Sequence, residues 1–225
     1  MDVLKIIVSS VALVSVVSLV TRRARKADYA SGKEIKLGCK CGKFSGRAKV
    51  PKNPKQIAGL NVVCYCKDCV LWGSQVAKHG SLTPDQGDEV LMVYKGSVEV
   101  DTPELVRCVH LYKHSLTHRY LTSCCGTAIA ASVQGSPILG LSGAIVKDKE
   151  QLIERLLPRY HVRLQDRKTS EEAFKSNPNA SSGLSISLLT NYISFAVKGL
   201  AEMGHPSPLP EDFSKEELIF PSNIN

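Results

Sequence analysis

Apolar and polar positions divide this chain into three stretches of different rhythm. Val3–Val20 is an apolar run broken only by Lys5 and four serines. Eighteen helical residues rise about 27 Å, close to the hydrocarbon thickness of a thin bilayer. The middle of the chain changes to short runs with β-branched residues, punctuated by Gly, Pro and Asp. These predict strands at Lys33–Cys41, Ala48–Val50, Asn61–Cys66, Glu89–Tyr94, Val98–Val100, Leu105–Leu111 and Ala128–Val133. Cys69–Lys78 reads as a short helix or a turn. In the last third, Asp148–Leu157 has a helical pattern stopped by Pro158. Arg167–Ser182 is polar and reads as a loop. Leu184–Met203 is a second long apolar stretch, but it holds Asn191, Lys198 and Glu202 and is stopped by Gly204. It reads as a helix covering the domain rather than a second membrane span, and an interfacial helix fits the same composition. Pro206–Asn225 reads as an extended tail. The expected fold is mainly β, with an N-terminal membrane helix and C-terminal helices. It divides into an anchor at residues 1–21, a basic tether at 22–33, a β domain at 34–150, and a helical extension and tail at 151–225.

Charge orients the anchor. Thr21-Arg22-Arg23-Ala24-Arg25-Lys26 follows the apolar run directly. A secretory signal would carry its positive charge before the run, with a cleavage site after it. The positive-inside tendency places the globular part in the cytosol, so the chain reads as a single-pass membrane protein. A cleaved signal, a targeting segment and a buried helix are the alternatives. Residues 21–60 hold twelve Lys/Arg against Asp28 and Glu34, a net +10 in a chain whose total is +8. A basic stretch beside a membrane favours anionic lipid headgroups, although ordinary solvation accounts for it equally. It lacks the interleaved aromatics of a nucleic-acid surface, which makes nucleic acid an unlikely partner.

The chemistry lies in the cysteines. Seven of eight fall into three clusters: Cys39-Lys-Cys41, Cys64-Tyr-Cys66-Lys-Asp-Cys69 and Cys124-Cys125. In an extended segment, residues i and i+2 share a face, so each C-x-C can aim two sulfurs at one point. Cys66 and Cys69 add the C-x-x-C spacing common in zinc sites. Seven sulfurs divide into four, which close a tetrahedral site, and three, which leave one position free. Disulfides require an oxidising compartment and suit C-x-C poorly, whereas a cytosolic domain keeps thiols reduced. An iron–sulfur cluster at Cys64–Cys69 is the weaker metal alternative. Cys108, alone in the run Leu105–Leu111, reads as a core residue.

Three blocks, in order and separation, carry a resemblance. They are Gly38-Cys39-Lys40-Cys41-Gly42 with Gly46, Cys64-Tyr65-Cys66-Lys67-Asp68-Cys69, and Arg119-Tyr120-Leu121-Thr122-Ser123-Cys124-Cys125-Gly126-Thr127. Over roughly residues 34–150 the chain resembles the family of glutathione-dependent formaldehyde-activating enzymes, which includes the centromere protein V type. The resemblance implies a two-zinc β-sandwich-like domain. It implies that Cys39 and Cys41 hold a structural zinc and that Cys64, Cys66 and Cys69 hold a second, potentially catalytic one. It also implies carbon–sulfur lyase chemistry, joining glutathione or a similar small thiol to a small aldehyde. The usual third block, C-x-x-C-G, would put cysteines at 122 and 125. Here position 122 is Thr, and Cys124 stands beside Cys125 as the source of the fourth sulfur. Adjacent side chains point apart in a strand, so this pair can share one ion only from a bent turn.

Proton-transfer candidates are weak in the sequence. Lys67 and Asp68 lie inside the knuckle, and His79 lies ten residues beyond Cys69. His110, His114 and His118 would share a face only in a helix, and their segment begins as a strand. Trp72 reads as core or as a wall of the open metal position. The competing class is a non-catalytic zinc-stabilised interaction module held at a membrane.

Overall fold

The computed structural model describes residues 33–50, 60–113, 115–147, 159–162, 207–210 and 217–220. The described fold is mainly β. A small sheet has the order β1-β2-β5, from Lys33–Gly38, Ser45–Val50 and Val98–Val100. The second sheet is built from β3 (Leu60–Cys64), β4 (Asp88–Tyr94), β6 (Val106–Tyr112), β7 (Thr117–Thr122), β8 (Ala128–Val133), β9 (Ile138–Ser142), β10 (Arg159–Val162) and β11 (Glu217–Phe220). Its order is β10-β3-β4-β9-β8-β7-β6-β11. Only the two edge pairings, β10 with β3 and β11 with β6, are parallel.

Register sorts the side chains of the large sheet onto two faces, because successive residues of a strand alternate. Val63, Leu91, Leu141, Ala130 and Tyr120 share one face and are buried. All but Val63 join Ile35, Leu37, Ala48 and Val98 of the small sheet in one core. Each such aliphatic side chain contributes roughly 1.5–3 kcal/mol when fully buried. The small sheet turns its other face to water, with Glu34, Lys36, Arg47 and Glu99 exposed and Arg47 ion-paired to Glu99 across the strands.

The opposite face of the large sheet carries Val62, Val90, Met92, Ala131 and Val133, none fully buried. Helix α1 (Lys67–Leu71) leaves β3 and continues as a π turn over Trp72–Val76. Trp72 and Ala77 pack on Val109, Leu111 and Leu121 of β6 and β7. Among the described residues, no further helix covers this face.

The expected strands all occur, with shifted ends, but three features differ. First, β1 stops at Gly38, and Cys39–Gly42 forms a turn closed by Gly42 N–H donating to Cys39 O at 3.2 Å. The C-x-C therefore aims its sulfurs from a turn, not from a strand. Second, β7, β9 and β10 were not predicted. Third, the expected tail at 206–225 includes β11, and Leu209 is buried in the core. His110 and His118 lie on neighbouring strands with ring centroids 4.7 Å apart, so no helical histidine face exists, and His114 lies outside the described residues. Cys108 packs against the core from β6, as expected. The anchor and tether at 1–32 and the expected helices at 148–157 and 184–203 also lie outside the described residues. Among those described, no helix is long and apolar enough to cross a membrane.

Candidate metal centres

The first centre unites two turns distant in sequence. Cys39 Sγ lies 3.4 Å from Cys41 Sγ and 3.8 Å from Cys124 Sγ. Cys41 Sγ lies 3.4 Å from Cys124 Sγ, and Cys124 Sγ lies 3.9 Å from Cys125 Sγ. All four sulfurs fall within 4.8 Å of one another. A tetrahedral ion with metal–sulfur distances of about 2.3 Å has sulfur–sulfur edges of about 3.8 Å, so the four sulfurs fit one such ion. Glycine makes both turns possible, with φ of +80° at Gly42 and +70° at Gly126. These are left-handed values that residues with a Cβ resist. The second turn bends at Ser123–Cys125, and Gly126 N–H donates to Thr122 O at 2.9 Å. That bend brings Cys124 and Cys125 to one side, which a straight strand would forbid.

Thr122, standing where the resemblance would put a cysteine, supports the site through its hydroxyl. Its Oγ1 accepts from Thr127 N–H at 3.0 Å and lies 3.4 Å from Cys125 Sγ. Thr127 Oγ1 accepts from Lys40 N–H at 3.1 Å and lies 3.1 Å from the same sulfur. Backbone donors thus occupy both hydroxyl oxygens, which leaves the O–H protons to point at Cys125. Burial raises the Cys125 thiol, but the two hydroxyls together with the Cys41 backbone and sulfur outweigh it and hold it near 5. Phe44 N–H donates to Cys39 Sγ at 3.3 Å and, against burial, helps lower that thiol as well. Burial and the Cys41 sulfur push Cys124 up to about 12. The group ionises partly by itself, and full ionisation requires a cation.

The second centre gathers Cys64 at the end of β3, Cys66 at the start of α1 and Cys69 inside α1, with all three sulfurs within 4.8 Å. Val70 N–H donates to Cys66 O at 3.1 Å and fixes the knuckle. Hydrogen bonds from Cys64 and Cys69 lower the Cys66 thiol to about 2. The same contacts push Cys64 up to about 12 and Cys69 well above its usual range. One thiolate is stable alone, and three need a positive ion among them. No fourth His, Cys, Asp or Glu joins this group among the described residues.

The three thiols open onto a cavity of about 360 Å³ on the uncovered sheet face. Most of its wall area is apolar, from residues such as Val62, Val90 and Met92, with polar groups set among them. Two of those groups were not predicted from sequence. Arg119, on β7, is buried, stands 5.6 Å over the Trp72 ring, and its charge helps lower Cys66. Asp88, opposite Cys64 in the register, is buried and accepts from Ser81 Oγ at 2.6 Å. Burial pushes its carboxyl up to about 6. Arg119 lay in plain view within the third block, but its position facing the thiols depends on the order of the strands. Asp88 had no signal beyond its place at the start of a strand. Trp72 satisfies both earlier readings, since it is core and cavity wall together. Asp68 also lines the cavity and accepts from Tyr112 Oη at 3.2 Å. Lys67 and His79 are exposed and do not line it. The backbone of His79 instead ties the segment after α1 to the third cysteine block, donating to Gly126 O and accepting from Ala128 N–H.

Compared with family models and with curated proteins, the chain matches none.

Proposed function

We propose that this chain is a two-zinc protein of the glutathione-dependent formaldehyde-activating type, with carbon–sulfur lyase chemistry on adducts of a small thiol and a small aldehyde. The carrying observation is the asymmetry of the two centres. Four sulfurs complete one tetrahedron, whereas three sulfurs form part of the wall of a cavity. All-thiolate donor sets suit zinc, and the split into a closed and an open set matches structural and reactive zinc sites. Cys39, Cys41, Cys124 and Cys125 would hold the structural ion, and Cys64, Cys66 and Cys69 the reactive one. When bound there, Zn²⁺ supplies a Lewis-acid position for a thiolate or a carbonyl oxygen.

The residues around that position perform the rest. In the joining direction a carbon–sulfur bond forms, and the thiol proton ends on the former carbonyl oxygen. Asp88 is the carboxylate suited to accept that proton and return it, because burial holds its pKa within the working range of a general base. Oδ1 of Asp88 is engaged by Ser81, which leaves Oδ2 for the transfer. Trp72 and the apolar wall shield an adduct from water on the side of the sheet. The apolar run at 3–20 extends the proposal to location, with the domain held at the cytosolic side of a membrane.

Metal analysis of the full chain tests the reading together with an assay of glutathione and formaldehyde exchange followed by NMR. Two zincs per chain and accelerated exchange support it. Fewer than two zincs removes the site assignment. Two zincs without acceleration leaves a zinc-stabilised interaction module.

A further inference from the structure

We infer that Arg119 is an anion subsite of the cavity, one that takes the carboxylate of the thiol substrate and so selects acidic thiols over neutral ones. The inference rests on the function proposed above and narrows its substrate class. Arg119 is 5 % exposed. Among the described residues no hydrogen bond or ion pair engages its guanidinium. Its Cζ lies over the Trp72 ring, 5.6 Å from the ring centroid. A guanidinium carries five N–H donors in its plane, and burying them without acceptors is unfavourable. Stacking on an indole satisfies none of them. Asp88 lines the same cavity and feels the charge of Arg119, but no ion pair or hydrogen bond joins the two, and Ala131, Gly140 and Met92 beside them carry no carboxylate. The donors therefore need acceptors that come from inside the cavity, as water or as ligand.

A carboxylate is the complementary partner, since it accepts two parallel N–H bonds from the guanidinium fork. The simpler account is that Arg119 only offsets the charge of the thiolates, because its field helps lower Cys66. That role needs a positive charge nearby but no fork, and a lysine would fill it. A guanidinium beside the Trp72 ring offers the cavity several donors at once, which a general field effect does not require. With thiols and a guanidinium both lining it, the cavity suits a small molecule bearing a thiol at one end and a carboxylate at the other.

The test uses the zinc-loaded full chain and three probes: 3-mercaptopropionate, 2-mercaptoethanol and propionate. Trp72 is the only tryptophan, so its fluorescence reports occupancy beside Arg119, and calorimetry gives the affinities. The wild type is expected to bind 3-mercaptopropionate about tenfold or more tighter than 2-mercaptoethanol, in keeping with a charge-assisted pair. Arg119→Met should erase that preference and leave 2-mercaptoethanol binding and zinc content unchanged. Arg119→Lys should restore only part of it. Equal affinity for the two thiols in the wild type overturns the inference and needs no variant. A full rescue by lysine, or an equal loss of both thiols in Arg119→Met, overturns it too. Propionate separates this inference from the function it rests on. Arg119-dependent binding of propionate supports the subsite even if the exchange assay shows no turnover. A chain that turns over glutathione and formaldehyde but ignores propionate and prefers neither thiol keeps the lyase reading and loses the subsite.

Discussion

Cys41 Sγ and Cys124 Sγ stand 3.4 Å apart across 83 residues of chain, one in the turn after β1 and the other in the turn after β7. β1 belongs to the small sheet and β7 to the large one, so this contact clamps the two sheets at one end of their shared core. An ion held there binds the folded chain and has no comparable site in the unfolded one, so its binding energy adds to stability. Structural zinc can contribute on the order of 10 kcal/mol in this way. Cys39→Ser and Cys124→Ser are each expected to remove one zinc and to abolish the cooperative thermal transition. Unfolding at the wild-type temperature with zinc retained would contradict that assignment.

Cys66→Ser should behave differently. Its group lies on the open face of the large sheet, and both residues before and after it in the group belong to the same strand–helix junction. Losing this ion relaxes a local knuckle and leaves the two-sheet core intact. The expected result is one zinc per chain instead of two, no exchange activity, and a retained cooperative unfolding transition. Unchanged zinc content would refute the assignment of Cys66.

Thr127 links both blocks of the closed centre, since its hydroxyl accepts from Lys40 N–H and points its proton at Cys125. Thr127→Val removes both bonds and leaves the Lys40 amide without that acceptor. Loss of such a supporting partner typically lowers metal affinity about 10–100-fold. Competition with a chromophoric zinc chelator should show that drop for one of the two ions. Thr127→Ser, which keeps the hydroxyl, should bind nearly as the wild type does. An equal drop in both variants would point to methyl packing instead.

Part of this arrangement was legible in the sequence, for reasons particular residues make plain. The alternation in Lys33–Gly38 and Val98–Val100 marks strands because one face is buried and the other wet. The division of seven sulfurs into four and three was readable from cluster spacing, the pairing of Cys39 and Cys41 with Cys124 and Cys125 came from the resemblance, and the need for a bend at Cys124–Cys125 came from strand geometry. β9 was missed because Ile138–Ser142 is buried throughout and carries Gly140 and Ser142, so no alternation marks it. The hydrophobic pattern in the opening of the chain said nothing of Arg119 and Asp88. Their roles arise from register, where β4 and β7 turn these residues to the same face as Cys64.

Asp88 offers a test in which stability and activity move in opposite directions. Its carboxyl has a pKa of about 6 in the fold against an ordinary 3.8, chiefly because burial penalises the charged form. The folded state therefore holds a proton that the unfolded state has released between those values. Stability on this account falls as pH rises from about 4 to about 6, and the full penalty persists above that range. A difference of about two pH units corresponds to on the order of 3 kcal/mol. Asp88→Asn removes the charge and keeps an oxygen to accept from Ser81. At pH 7.5 the variant is expected to melt roughly 6–12 °C above the wild type, given about 2–4 °C per kcal/mol for a chain of this size. It should also lose exchange activity by about 10²–10⁴-fold if Asp88 Oδ2 carries the proton. Differential scanning calorimetry and the NMR exchange assay on the same samples measure both effects. A variant that melts lower than the wild type would show that the ionised carboxylate holds a stabilising contact, and undiminished exchange would remove Asp88 from the proton path.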